Sequence, residues 1–181
     1  MDQKVIKEES TKLLDFYMGN TCDSQGRKIE EIWLWDYSRL EQIHNYIQWL
    51  FPLREFSSFN PDAPILTTKE VEIFKKNIQL QDRLLNSFDL MLNFYGYSRV
   101  GNGNNVHIVS GENFDIRIRN WITPNNHNFL RITRILKSLS ILGIPGYAEN
   151  VLATLESLSL EERLTISETS FHYWRSAVKA R

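Results

Sequence analysis

An all-α fold, a single-domain orthogonal or irregular helical bundle with one long central helix, is predicted by three features of this chain. Apolar residues recur at alternating spacings of three and four through most of its length, caps and stops stand at the ends of those runs, and only Val106 to Val109 reads as a strand-like piece. The 181 residues, 42% of them apolar, suit one core, so the domain is expected to span 1–181.

The first dozen residues carry little pattern and are expected to fray, after which Leu13, Leu14 and Tyr17 form a short apolar face ahead of the turn Cys22-Asp23-Ser24-Gln25-Gly26. From the N-cap Asp36, the residues Leu40, Ile43, Ile47 and Leu50 predict one helix that Pro52 ends. Ser57 to Pro64, with Pro61 and Pro64, cannot continue it and reads as a loop. Thr67 and Glu70 form a capping box at the start of the longest element. Val71, Phe74, Ile78, Leu85, Phe88, Leu92 and Tyr95 carry it to a stop at Gly96, about 28 residues and roughly 42 Å of helix. Leu80, Leu84 and Met91 widen its apolar face beyond a coiled-coil seam. Gln81 interrupts the stripe, and a buried amide bonded to backbone explains it more simply than a ligand contact.

Residues 97–111 are rich in Gly and Asn and are expected to be a flexible loop; Gly101-Asn102-Gly103 lacks the third glycine and the preceding strand of a dinucleotide site. Phe114, Ile118 and Trp121 predict a short helix ending near Pro124. Asn125 or Asn126 then caps a helix whose buried face is Phe129, Ile132, Ile135, Leu136, Leu139 and Leu142, closed by Gly143 and Pro145. Val151, Leu152 and Leu155 mark the next helix, and Ser159 with Glu162 caps another, from which Leu160, Leu164, Ile166, Phe171, Trp174 and Val178 are expected to close the core.

A formal net charge of −1, from 21 basic and 22 acidic residues, supplies no global field toward nucleic acid or anionic lipid. Cys22 is the only cysteine, which favours a reducing compartment, and the polar N-terminus and lack of a long apolar run give no signal peptide or spanning helix. A cytoplasmic protein is the expectation.

Catalytic signatures are thin. His44, His107, His127 and His172 include no pair at i, i+3 or i+4, so no metal is expected, and no cofactor motif is found. His44 would share a helical face with Tyr37, Glu41 and Gln48, where a glutamate-oriented imidazole could act as a base, although a boundary histidine bonded to its neighbours is the commoner arrangement. No catalytic residue is assigned, and an enzyme is the lesser reading.

Binding chemistry has a better foothold. His127, Arg131, Arg134 and Ser138 line up along one helical stripe, and two guanidiniums a turn apart beside an imidazole can grip a carboxylate or phosphate. The alternative is that both arginines pair with acidic side chains and knit the bundle. Between Arg117 and Lys137 there are five basic and no acidic residues, a local patch that makes nucleic acid a third and weakest possibility. Trp33, Trp35, Tyr37, Tyr46, Trp49 and Phe51 concentrate aromatic surface, most of it expected in the core.

Two segments are distinctive as strings: His44-Asn45-Tyr46-Ile47-Gln48-Trp49-Leu50-Phe51-Pro52-Leu53-Arg54-Glu55, and Asn120-Trp121 followed by His127-Asn128-Phe129-Leu130-Arg131-Ile132-Thr133-Arg134-Ile135-Leu136-Lys137-Ser138-Leu139. Both resemble the most recognisable segments of the N-terminal domain of the opioid growth factor receptor family, and the resemblance runs from about Leu14 to the end. It implies an all-α domain and a soluble, nuclear-associated or membrane-peripheral protein rather than a membrane-spanning one. It also implies binding of a short peptide, since vertebrate members are known as receptors for the pentapeptide methionine-enkephalin and restrain cell proliferation. The chain has no repeat-rich C-terminal region and no bipartite basic run, so nuclear import and opioid signalling are not carried over to it.

Taken with the stripe, the resemblance makes this a peptide- or protein-binding module with His127, Asn128, Arg131, Arg134, His44 and Trp49 as candidate ligand contacts. A phosphorylated or other anionic small molecule held by Arg131 and Arg134 is the alternative ligand. The binding chemistry requires that the arginine row face an accessible hollow. The oligomeric state is not encoded in any motif.

Overall fold

The computed structural model describes residues 11–180, which leaves most of the N-terminal segment expected to fray outside the described residues. It divides into two compact units, the first ending at Ser87 and the second beginning at Phe88. Among the described residues there are eleven α-helices and one two-stranded antiparallel sheet, so the protein is mainly helical.

The first unit holds α1 (Lys12–Tyr17), α2 (Ile29–Trp33), α3 (Tyr37–Gln42), α4 (Ile47–Leu50), α5 (Thr68–Lys76) and the start of α6 (Ile78–Tyr95). Its core is aromatic. Tyr17 is fully buried, packs edge-on against Phe74 at 4.8 Å, and donates its hydroxyl hydrogen to the Leu50 carbonyl. Burial pushes that phenol well above its ordinary range. The predicted capping box at Thr67 is present: the Glu70 N–H donates to Thr67 Oγ1 at 3.2 Å and the Thr67 N–H to Glu70 Oε2 at 2.7 Å. Thr11 donates to the other Glu70 oxygen at 2.5 Å, so this buried carboxylate also ties α1 to α5.

Two long helices expected from the sequence are broken. The stripe from Asp36 to Leu50 is two helices, because Ile43 adopts extended backbone (φ −94°, ψ 132°) and the chain re-enters a helix only at Ile47. The element from Thr67 to Tyr95 is likewise α5 followed by α6, separated by Asn77 at φ −107°, ψ 106°. Asn77 is buried, and its Oδ1 accepts from the Leu80 N–H at 3.1 Å, so the side chain starts a new helix instead of continuing the old one. The break resets the phase of the stripe. Ile78, expected inside, is 76% exposed, whereas Leu80 and Leu84 are buried. Gln81 is half-buried and donates to the Lys75 carbonyl at 3.2 Å, the backbone partner expected for it.

The second unit contains the end of α6, strands β1 (Tyr97–Val100) and β2 (His107–Ser110), and helices α7 (Phe114–Trp121), α8 (Asn128–Ile141), α9 (Pro145–Glu156), α10 (Leu160–Ile166) and α11 (Glu168–Val178). Where the sequence indicated one strand-like piece there is a hairpin, with Tyr97 opposite Ser110 and Val100 opposite His107. Its partner strand was hidden because Tyr97-Ser98-Arg99-Val100 has no clean alternation and follows the helix stop at Gly96 directly. Gly96 has φ 91°, and a Cβ there would meet Phe114 backbone at 3.0 Å, so glycine is required both as the stop and for the close approach.

Helix α8 is the central element of this unit, packing against α9 and α11. All six residues of its expected core face are buried. The Trp174 indole of α11 donates to the Phe129 carbonyl at 3.1 Å, and the Trp121 indole to the Tyr95 carbonyl at 3.0 Å. Neither Asn125 nor Asn126 is the N-cap, which is His127; Asn126 Oδ1 nevertheless accepts from the Asn128 N–H at 2.9 Å and so serves one of the first amides.

Candidate functional site

The arginine stripe is less open than its spacing implies. Arg131 is only 5% exposed and donates from Nη1 to Asn128 Oδ1 at 3.2 Å; Asn128 and Ser138 are fully buried. Asn128 Oδ1 also accepts from the Tyr95 hydroxyl at 3.4 Å. His127 and Arg134 are half-buried and retain surface. Helix α8 is buried around most of its circumference, with Leu130 pointing outward, so the stripe is an inner edge of the unit rather than a solvent face.

The other two candidates lie in the first unit. His44 is exposed in the break between α3 and α4, and the helical face that would have set it beside Tyr37, Glu41 and Gln48 does not form, since Ile43 is extended. Trp49 is 0% exposed and packs edge-on to Phe16 at 5.1 Å, with Lys12 Nζ over its ring at 5.3 Å. The basic patch is also dispersed: Arg117 Nε donates to the Phe94 carbonyl at 2.7 Å and its guanidinium stacks on the Phe94 ring, while Arg119 faces solvent.

The second unit has an apolar cavity and an open hollow among its described residues. One, walled by Phe88, Tyr95, Tyr97, Trp121, Ile132 and Leu155 among others, is an apolar cavity of about 20 Å³, room for one water-sized sphere and too little for a metabolite. The Tyr97 hydroxyl is buried without a hydrogen-bond partner, and burial followed by the charge of Glu162 raises its pKa far above the ordinary phenol value. The second is an open hollow of about 450 Å³ formed by the end of α9, by α10 and by the first turns of α11. On its wall Leu160 and Leu164, one turn apart, are 65% and 73% exposed, which corrects the expectation that they close the core. Phe171 is buried beneath. Glu156 accepts from Arg175 Nε at 2.6 Å and Glu168 from Arg175 Nη1 at 2.5 Å; these two hydrogen bonds raise the Arg175 pKa.

Sequence reasoning missed this hollow because Leu160 and Leu164 were counted with the apolar residues of α11. The missing signal was Ser167, which stands as a second helix start only eight residues after Ser159 and gives α10 its own phase. Ser167 sits at φ 83°, ψ 146°, a backbone region almost confined to glycine, and its hydroxyl accepts from the Ser170 N–H at 3.5 Å. Among the described residues no group of three or more His, Cys, Asp or Glu could hold a metal, and no helix is long and apolar enough to cross a membrane.

Residues 6–181 match the family model described as the opioid growth factor receptor (OGFr) conserved region. The chain belongs to the opioid growth factor receptor family. It is 40% identical over 174 residues to the opioid growth factor receptor of Rattus norvegicus, an alignment covering 93% of this chain and 30% of that protein. The receptor of Homo sapiens is 40% identical over 162 residues, covering 84% of this chain and 23% of the receptor, and opioid growth factor receptor-like protein 1 of Mus musculus is 37% identical over 161 residues, covering 86% and 34%. This family member thus spans about a third or less of each of these relatives. No solved structure matches the chain. Both diagnostic segments fall within the matched region, one around α4 and the other at the end of α7 and along α8.

Proposed function

We propose that this family member is a binding module for short peptides or peptide segments of other proteins. The observation that carries this reading is the open hollow beside α10, whose volume of about 450 Å³ falls in the range that encloses small ligands and whose wall combines exposed leucines with charged side chains. The name of its relatives, receptors of an opioid growth factor, points the same way. Because one conserved region covers both units, residues 6–181 are taken as a single functional domain. A cytoplasmic setting accords with the lone cysteine.

None of the six residues singled out in the sequence lines the hollow; His127 and Arg134 have surface left with which to touch a ligand carboxylate at a separate place on the second unit, and Arg131 and Asn128 order the first turns of α8 behind them. Exposed His44, in the first unit, is a candidate contact of that unit by itself, and buried Trp49 supports the segment that carries it. A phosphorylated small molecule gripped by both arginines is the weaker reading, since Arg131 is buried and committed to Asn128. Nucleic acid is weaker still, because the basic residues do not form one exposed surface.

Calorimetric titration with methionine-enkephalin and with a panel of unrelated unblocked pentapeptides tests the proposal. Saturable heat at micromolar concentration is expected for at least one of them. Absence of heat for every peptide up to high micromolar concentration, together with a rise in melting temperature on adding inorganic phosphate, would transfer support to the anion reading.

A further inference from the structure

We propose that the hollow beside α10 takes a short peptide with both termini free and with adjacent aliphatic side chains, a statement that rests on the peptide-binding reading above and adds where and by what chemistry the peptide is held. The charges in and around the hollow are unevenly satisfied. Arg175 is shared by Glu156 and Glu168, so two carboxylates meet one guanidinium and one negative charge is left over, most accessibly on Glu168, whose side chain is the more exposed of the pair. Arg163, on the same wall as the leucines, is exposed and has no ion pair among the described residues. The hollow therefore offers a net negative group and a separate cation, with Leu160 and Leu164 beside them.

A free peptide is complementary to that distribution: its ammonium group pairs with Glu168, its terminal carboxylate with Arg163, and its aliphatic side chains cover the two leucines. A folded partner that buried the leucines without supplying both charges would leave Arg163 desolvated and unpaired, or the excess negative charge of the Glu156, Arg175 and Glu168 cluster uncompensated, which costs affinity. Ser167 fits the same picture. Its strained backbone lies on the wall between α10 and α11, where it keeps α10 in a separate phase and its leucines outward.

The test is a methyl-detected NMR titration of the whole chain with trileucine, compared with N-acetyl-trileucine and trileucine amide. Trileucine should shift the Leu160 and Leu164 methyl signals saturably, and blocking either terminus should weaken binding about tenfold, the worth of one charge-assisted contact. Arg163→Glu should weaken trileucine but not trileucine amide, and Glu168→Gln should weaken trileucine but not the acetylated form. Both positions are exposed, so loss of the fold is not expected and is checked by the rest of the spectrum. Equal binding of blocked and free peptides overturns the charge assignment, and Leu160 and Leu164 signals that move on simple concentration of the protein assign the hollow to a second copy instead. Peptide shifts confined to the surroundings of His127 and Arg134 overturn this inference while leaving the peptide-binding reading in place; no response to any peptide removes both.

Discussion

Arg131 and Arg134 illustrate how far a residue's role depends on what lies opposite its face. Both belong to one stripe by spacing, yet Arg131 is closed in against Asn128 and Arg134 keeps part of its surface. Stability measurements should separate them: Arg131→Ala, which strips a buried partner from Asn128, is expected to cost roughly 2 kcal/mol in urea unfolding, whereas Arg134→Ala should cost less than about 1 kcal/mol. Glu30 adds a pH-dependent contribution in the first unit. Burial works against its ionised form, but the hydrogen bond and charge of Arg83, whose guanidinium also lies over Trp33 at 4.9 Å, outweigh it and lower the pKa. A folded-state pKa below the unfolded value of about 4.3 means that this contribution is present above that pH and is lost as the pH falls through the lowered value. Comparing Glu30→Gln with the parent chain by thermal melting should therefore give a stability difference that is constant near neutral pH and shrinks below about pH 4.

Elements begin and end where a single side chain competes with the helix, and two such places decide this fold. Asn77 turns an apparent helix of 28 residues into α5 and α6 by accepting from the Leu80 N–H, so Asn77→Ala is expected to lower stability by about 1 kcal/mol and to reduce protection of the first amides of α6 in hydrogen exchange. Ser167 separates α10 from α11 at a backbone conformation suited to glycine. Ser167→Gly relieves strain of roughly 1 to 3 kcal/mol and gives back part of it through a freer unfolded chain and a weaker cap, so a net gain of about 1 kcal/mol in chemical unfolding is expected. Capping boxes at Thr67 and Ser159, the stop at Gly143 and the core face of α8 were legible because each depends on neighbours within four residues. The breaks at Ile43 and Asn77 were not, because the apolar repeat on either side runs on through them and only the extended backbone at these two residues shows that the phase has changed.

At the scale of the molecule, a near-neutral charge and a single cysteine leave the fold to apolar packing and its buried polar anchors. No intrachain disulfide can form, and the melting temperature of the chain should be unchanged by reductant; a fall on adding dithiothreitol would mean that Cys22 pairs between molecules. Family membership and helical class follow from the string of residues alone, since the diagnostic segments, caps and periodicities are local. Which side chains meet solvent was decided only by the folded units: Arg131 is enclosed, Leu160 and Leu164 are left outside, and the hollow they border joins residues from three helices. Exposure is a property of what packs against a residue, and a linear sequence carries the spacing of a face but not the identity of its neighbour.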